Sequence, residues 1–325
     1  MCGKLRRLYW RRNSVDMLSI QAHIPLAPFT TFKIGGPAEF FVTVSTVSEL
    51  VEALELAQKN GWPTFVFSGG SNLLIHDQGV KGLVIHIVNK SFRLQDRKLM
   101  VDAGANLLVV VKAASAAGLA GMERLAGIPG SVGGAIRGNA GAFGMEIKDV
   151  VTQVKFYDRK AGKLREYSQA ECQFGYRSSY FKSHPELVIL SAEFTLWPGD
   201  AAELERINRE TIGKREAKHP QHAKCAGSFF MNPTVEDREL HREFEKDTGL
   251  LSKSDKLPAG WLIDHVGLRG KVIGGAQVSP LHPNYFLNVG AATAEHVVML
   301  ASLVKQRVRT ELGVELREEV QLVGF

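Results

Sequence analysis

The alternation of apolar and polar positions near the start of the chain predicts a strand, a helix and a second strand. Residues 39–44 are aromatic and β-branched, which is typical of a strand. Residues 46–49 match a capping box, and apolar residues then recur at helical spacing from Leu50 to Ala57. Asn60 and Gly61 end this helix, and a second apolar run covers residues 64–67.

The rest of the chain also shows either the alternation typical of strands or the spacing typical of helices. The predicted strands are residues 83–88, 99–103, 151–158, 163–167, 187–196 and 314–320. The predicted helices are residues 106–117, 201–217 and 293–312, with Gly313 as the stop of the last one. Strands and helices that alternate in this irregular way predict an α+β fold.

Composition then narrows the class of protein. The 325 residues are 45% apolar and 23% charged, which is the balance of a globular protein and excludes a disordered or fibrous chain. The net charge of +6 comes largely from a basic leader that precedes the first acidic residue, Asp16. Such a run is typical of a solvated tail, so no nucleic-acid partner is expected.

The same leader and the cysteines predict where the protein resides. No apolar segment follows the basic residues before Pro25, so the leader does not match a secretory signal. The most apolar stretch, residues 103–122, is interrupted by Asn106 and Lys112 and does not predict a membrane span. The three cysteines are odd in number and far apart, which favours a reducing cytoplasm.

Several common catalytic motifs are excluded. No two glycines are two positions apart, so G-x-G-x-x-G cannot occur, and no Gly-Lys precedes Ser or Thr as in a P-loop. His219, His222 and Cys225 are ligand types that zinc accepts. We interpret them as a polar loop, because no fourth ligand is evident and Pro220 breaks a helical presentation, and we expect no metal.

Two glycine-rich segments remain, at residues 68–74 and 127–135, and the second continues to residues 138–141. Glycine lets the backbone turn sharply and approach a ligand, and successive N–H groups form an anion nest. Two such segments suit a diphosphate held from both sides. The alternative, tight turns between strands, stays open on this reasoning.

Three polar residues stand in segments of small and aromatic residues. Arg177 is either a structural ion-pair partner or a clamp for a carboxylate. Ser228 follows a flexible glycine, but no G-x-S-x-G surrounds it and a hydrolase elbow is not supported. Glu319 falls on the polar face of the predicted last strand, where a solvated carboxylate is the default.

Taken together, these segments resemble the UDP-N-acetylenolpyruvoylglucosamine reductase (MurB) family from about Pro25 onward. The matching segments are residues 30–37, 68–74, 127–134, 139–142, 176–178, 226–230, 259–263 and 274–276. The short stretch from Tyr180 to Leu187 has no room for a long loop, which matches the loop-less type II class of the family.

The resemblance implies an α+β fold with a two-part FAD-binding domain of the vanillyl-alcohol-oxidase (PCMH) type and a third α+β domain that binds substrate. The implied boundaries are residues 1–88, with the leader at 1–19, then 89–212 and 213–312. Residues 313–325 would return as a strand to the FAD-binding region.

It also implies non-covalent FAD as cofactor and NADPH as co-substrate. The residues that would bind FAD are Gly69, Gly70, Ser71, Asn72, Leu73, Gly127, Ile128, Pro129, Gly130, Ser131, Gly133, Gly134, Asn139, Ala140 and Gly141.

The implied reaction reduces the enolpyruvyl group of a UDP-sugar. Arg177 and Glu319 would stabilise charge that builds toward the substrate carboxylate, and Ser228 would donate a proton. Lys218 would bind a substrate phosphate and Asn232 the nucleotide-sugar. The chain departs from the family pattern at Met231, Leu281 and Arg317, of which the first two replace usual lysines.

The resemblance further implies a cytoplasmic monomer that acts in cell-wall precursor synthesis, without a nucleic-acid or membrane partner. Two other functions stay open: a flavin oxidase of the same domain type that uses O₂, and a UDP-sugar-binding protein without catalysis. Alanine at Arg177, Ser228 and Glu319 would be harmless in the second of these.

Overall fold

The computed structural model describes residues 7–8, 18–218, 220, 223–252 and 255–325. These residues cluster into two compact units. Unit 1 comprises the described residues of Met1–Ile24, Ala38–Gly69 and Val80–Ala217, and unit 2 those of Pro25–Pro37, Gly70–Gly79 and Lys218–Phe325. Most of the predicted leader lies outside the described residues, and the four-part domain division stays a prediction.

Unit 1 contains two five-stranded sheets. The first has the strand order Arg7–Leu8, Ile20–Pro25, Pro37–Val44, Val80–Ile87, Thr64–Phe67. The second is antiparallel, with the order Lys163–Ser168, Val151–Asp158, Leu187–Thr195, Lys98–Asp102, Phe92–Gln95. Two short ribbons pair Gly141–Ala142 with Met145–Glu146 and Leu119–Ala120 with Trp197–Pro198.

The helices of unit 1 cover the sheets and begin where the sequence provides caps. They are Val47–Lys59, Leu107–Ala116, Val132–Arg137, Tyr180–Ser183 and Ala201–Lys218, with short 3-10 turns at Glu123–Leu125 and Ile147–Asp149. The predicted capping box is present, because Thr46 accepts a hydrogen bond from the Glu49 N–H and Glu49 bonds back to Thr46. Two hydrophobic cores fill this unit, and one of them contains buried side chains from both sheets.

The topology of the first sheet places the first glycine-rich segment. Thr64–Phe67 and Pro37–Val44 both run parallel to Val80–Ile87. Ser68 and Gly69 therefore follow the carboxyl end of a parallel strand, which is where open α/β sheets commonly bind ligands.

Unit 2 is built around the long helix Ala294–Leu312, which Thr293 caps and Gly313 ends in a left-handed conformation (φ 68°). Its other helices are Arg238–Thr248 and Ala259–His265, with a 3-10 turn at Ala27–Phe29. Its strands are Val272–Ile273, Ala276–Val278 and Phe286–Asn288 in one antiparallel sheet, and Leu73–Ile75 parallel to Gln321–Val323. One core fills this unit.

Most predicted elements are confirmed to within a few residues, but the last strand is misplaced. The prediction put it at residues 314–320, whereas the structure forms a strand at Gln321–Val323. Val314, Leu316 and Val320 are buried as the alternation predicted. Residues 314–320 do not form a strand, because their pairing with the Ser228 segment is limited to one isolated bridge, Phe230 with Glu318.

The sequence predicted no helix at Arg238–Thr248 or Ala259–His265, and the structure forms both. Within the described ranges, no helix is both long and apolar enough to cross a membrane.

Candidate functional site

The two predicted phosphate-binding segments approach each other in unit 1. A Cβ atom added to Gly69 would lie 3.3 Å from the Cα of Gly130. Gly127 and Gly130 have φ of 85° and 122°, values that favour glycine. The backbones of the two glycine-rich segments therefore lie close together at Gly69 and Gly130, and the diphosphate site stays a prediction.

The second segment uses several of its N–H groups within the protein. Val132 donates to the Ala105 carbonyl (2.9 Å), Gly133 to the Ala103 carbonyl (2.8 Å) and Gly134 to the Ser131 hydroxyl (3.3 Å). The N–H of Ile128 donates to the Leu125 carbonyl at 3.2 Å. Only the amides of this segment that are not bonded in this way are therefore candidates for binding a phosphate.

The first segment continues into unit 2 at Gly70, whose φ is 59°. A Cβ at Gly70 would lie 2.2 Å from the Phe29 carbonyl oxygen, so only glycine fits here. The Gly70 carbonyl accepts a hydrogen bond from the Thr31 N–H at 3.1 Å. The Thr31 hydroxyl donates to the Cys225 carbonyl at 2.6 Å, which fixes the turn.

The same segment is joined to the segment that carries Glu319. The Asn72 side-chain amide donates to the Glu319 carbonyl at 3.1 Å, and the Gln321 N–H donates to the Asn72 carbonyl at 3.0 Å. Leu73 pairs with Gln321 in the parallel strands. Asn72, predicted as a cofactor ligand, therefore also positions the backbone of a predicted catalytic residue.

Unit 2 brings Ser228 and Glu319 onto paired segments. The Glu319 N–H donates to the carbonyl of Phe229, the residue after Ser228, at 2.8 Å. The Met231 N–H donates to the Arg317 carbonyl at 2.9 Å on the same pair of segments. Both Ser228 and Glu319 are half-buried. Two of the three predicted catalytic residues therefore lie close together in the backbone framework.

A residue that the sequence did not single out, Asn284, fixes the Ser228 segment. Its main-chain carbonyl accepts the Phe229 N–H at 2.7 Å, and its side chain exchanges two hydrogen bonds with the Phe230 main chain at 2.9 and 2.8 Å. Asn284 is only 3% exposed. The neighbouring Tyr285 forms an isolated bridge with Ser228. The sequence signal was an Asn between Pro283 and Tyr285, which by itself is typical of an ordinary turn.

Arg177 lies in a tight turn of unit 1 next to the predicted flavin segment. Gly175 and Ser178 exchange backbone hydrogen bonds of 3.0 and 3.1 Å around it, and its φ is 53°. One guanidinium nitrogen donates to the Gly141 carbonyl at 3.1 Å, and its central carbon lies 5.3 Å from the centre of the Tyr176 ring. The half-buried guanidinium is therefore oriented by packing and by a hydrogen bond.

The Asn139 side chain is fully buried and makes its hydrogen bonds within the protein. Its amide nitrogen donates to a Glu146 oxygen at 3.0 Å and to the Gly175 carbonyl at 2.9 Å, and its oxygen accepts the Lys148 N–H at 3.1 Å. The Asn139 side chain therefore links residues 139–141 to the Arg177 turn, and the cofactor contact expected of these residues stays a prediction.

The predicted substrate ligands are only partly described. Lys218 is the last residue of its helix, and its side chain lies outside the described residues. The Asn232 side-chain oxygen accepts the Ala259 N–H at 3.0 Å and so holds the start of Ala259–His265.

His219 and His222, two of the weighed metal ligands, lie outside the described residues. Within the ranges that the structure describes, no three His, Cys, Asp or Glu residues are grouped to hold a metal ion. Burial raises the pKa of the Cys172 thiol to about 12.

His86, on the strand Val80–Ile87, contacts the end of Thr64–Phe67, the strand that precedes the first glycine-rich segment. His86 stacks on Phe67 with ring centres 4.9 Å apart. Burial lowers the pKa of His86 below its ordinary value of 6.5, and a hydrogen bond to the Ser68 main chain acts in the opposite direction.

We expect the free energy of unfolding to fall as the pH drops through 6.5, because the unfolded chain then binds the proton more readily than the folded one. His86→Phe should remove this part of the pH dependence. Urea unfolding of both proteins on either side of that pH measures it, and parallel pH curves for the two proteins would contradict the assignment.

Two family models match parts of this chain. Residues 38–168 match the model of an FAD-binding domain, and residues 219–323 match the model of the UDP-N-acetylenolpyruvoylglucosamine reductase C-terminal domain. The α+β class and the FAD-binding domain predicted from the sequence are confirmed by these matches.

Whole proteins match as well. The UDP-N-acetylenolpyruvoylglucosamine reductase of Solibacter usitatus is 37% identical over 318 residues, 97% of this chain and 100% of that protein. The protein of the same name from Carboxydothermus hydrogenoformans is 37% identical over 99% of both chains. The crystal structure of UDP-N-acetylenolpyruvylglucosamine reductase (MurB) from Thermus caldophilus matches with a TM-score of 0.74 and 33% identity, covering 93% of this chain and 98% of that one.

Proposed function

Since this chain belongs to the UDP-N-acetylenolpyruvoylglucosamine reductase family of FAD-dependent oxidoreductases, we propose that it reduces UDP-N-acetyl-3-O-(1-carboxyvinyl)-glucosamine to UDP-N-acetylmuramate with NADPH. This reaction belongs to peptidoglycan precursor synthesis. The single observation that carries the proposal is the pairing of the Ser228 and Glu319 segments through the Phe229 carbonyl.

The glycine segments fit FAD. The space beside Gly69, which a Cβ would fill, is bounded by the Gly130 backbone, and glycine is required at Gly70. FAD would bind non-covalently. Its diphosphate would be held by Gly69–Leu73 and by the amides of Gly127, Gly130 and Ser131. The chemistry that bound FAD would supply is hydride transfer between NADPH and the enolpyruvyl double bond.

The residues of the chain would act on the substrate. Arg177 offers a planar cation to the substrate carboxylate, where negative charge builds up during reduction. Glu319 donates a hydrogen bond to that group or relays a proton, which requires that it hold its own proton. Ser228 then donates a proton to the carbanion-like carbon, so that a hydride and a proton together saturate the double bond.

Lys218 would bind a phosphate of the substrate, and Asn232 would bind the nucleotide-sugar. Met231 and Leu281 replace usual lysines of the family, so we expect the substrate diphosphate to rely on Lys218. A cytoplasmic monomer is part of the same proposal.

The activity is tested by following NADPH absorbance in the presence of air. We expect rapid oxidation only after the enolpyruvyl UDP-sugar is added. Equal oxidation without it would favour a flavin oxidase that uses O₂. Binding of the UDP-sugar without turnover would favour a binding protein that lacks catalysis.

Gly69→Val is expected to lower the affinity for FAD by about tenfold or more, equivalent to ~1.4 kcal/mol, because the new side chain would meet the Gly130 backbone. The measurement is the flavin absorbance retained by the purified protein, followed by titration with FAD.

The matched control for that change is Gly213→Ala. Gly213 is an exposed position within the helix Ala201–Lys218, and nothing lies within 4 Å of a Cβ added there. This change should raise the free energy of unfolding by about 0.5–1 kcal/mol and leave flavin content unchanged. Full FAD binding by Gly69→Val would remove this segment from the cofactor site.

A further inference from the structure

Unit 2 contains an open groove that the proposed reaction does not use. Its volume is about 620 Å³, within the usual range for small-molecule sites. It lies between the last turns of the helix Ala294–Leu312 and the extended segment that leads to Glu319. The charged and polar residues that line it are Lys305, Arg309, Thr310, Glu315, Arg317 and Glu318.

Some charged residues of the groove form ion pairs with each other and others do not. Lys305 forms an ion pair with Glu318 at 2.8 Å, which neutralises both. Arg309 and Arg317 are exposed, and among the described residues neither guanidinium has an ion-pair partner. The three cations outnumber the two carboxylates, so the groove is positive overall.

Main-chain hydrogen bonds fix the backbone positions from which the two exposed arginine side chains extend. The Arg317 carbonyl accepts the Met231 N–H at 2.9 Å, and the adjacent Leu316 is buried in the core. Arg309 lies in the last turn of the helix, and its carbonyl accepts the N–H of Gly313 at 3.0 Å. The helix and the segment that follows its glycine stop therefore present two guanidinium groups to one groove.

We propose that this groove binds a phosphate-bearing anion through Arg309 and Arg317. Guanidinium groups match phosphate oxygens with paired, charge-assisted hydrogen bonds, and the Thr310 hydroxyl can add a further donor. The lining contains no aromatic side chain on which a base would stack. The phosphate groups and not a nucleoside therefore dominate recognition, and the site is separate from the proposed reductase function.

Calorimetric titration of the FAD-loaded full chain with inorganic phosphate, inorganic pyrophosphate and UDP tests the inference. We expect pyrophosphate to bind more tightly than phosphate, and UDP to gain nothing from its nucleoside in this groove. Arg309→Ala and Arg317→Ala should each weaken pyrophosphate binding about tenfold or more. Glu315→Gln should tighten it, because it removes a like charge from the lining.

Arg238→Ala is the matched control, since Arg238 is an exposed arginine of unit 2 outside the groove. It removes the same charge and should leave the affinity unchanged. Pyrophosphate binding that survives both groove substitutions, or that is lost only in Lys218→Ala, would overturn the proposal. Reductase activity measured on Arg309→Ala reports separately on the proposed function, which this variant should retain.

Discussion

Replacing Ser228 with alanine is expected to lower turnover by about 10²–10⁴-fold, the usual cost of losing a general acid. NADPH should still reduce the flavin, because hydride transfer to the cofactor does not need the serine proton. Reoxidation by the enolpyruvyl UDP-sugar should be lost, since the carbon that accepts the hydride also needs a proton. Stopped-flow absorbance separates the two half-reactions.

The structure makes this substitution interpretable. Ser228 is held through its main chain, by the bridge to Tyr285 and by the hydrogen bonds of the adjacent Phe229 to Asn284 and Glu319. Removing one hydroxyl should therefore leave the segment in place. Ser302→Ala, at an exposed position of the helix Ala294–Leu312, is the matched control and should change neither half-reaction. Loss of flavin reduction by NADPH in Ser228→Ala would refute its role as proton donor.

The second large effect is expected for Arg177→Lys, which should reduce kcat/KM by about 10²-fold or more. Charge is conserved, but an ammonium is a point charge and cannot present the planar fork of a guanidinium. Lysine would also lose the geometry by which Arg177 contacts the Gly141 carbonyl and the Tyr176 ring together. Steady-state kinetics over a range of substrate concentrations measures the change.

Arg209→Lys is the matched control for Arg177→Lys, because Arg209 is 71% exposed on the helix Ala201–Lys218. It should have no kinetic effect. Since Arg177 has φ of 53°, its backbone is already strained, and a thermal melt of the variant checks that the turn persists. A folded Arg177→Lys protein with unchanged kcat/KM would show that any cation suffices at this position.

Local sequence rules determined the elements whose signals are short-range. The capping box at Thr46, the start of the long helix at Thr293 and its stop at Gly313 depend on neighbours within a few residues, and all three are confirmed. The position of the last strand depended on a distant partner. Leu73–Ile75 supplies that partner at Gln321–Val323, so alternation alone placed the strand too early.

In the candidate site, too, some features are visible in the sequence and others only in the tertiary structure. The glycine-rich segments are visible from residue type alone, whereas Ser228 was singled out as a proton donor only through the family resemblance, and its role stays a prediction. The sequence missed Asn284, whose importance comes from hydrogen bonds to residues 54 and 55 positions earlier in the chain. The hydrogen bonds of the Asn139 side chain to Glu146, Gly175 and Lys148 were likewise visible only in the fold.

The sequence by itself therefore determined the α+β class, the family and the residue types able to bind a diphosphate and donate a proton. Only the tertiary structure decided that Gly69 lies against Gly130, that the Glu319 main chain is bonded to Phe229, and that two arginines near the end of the chain share a groove. The physical reason is that residue chemistry is local, whereas close approach depends on which distant segments the cores bring together.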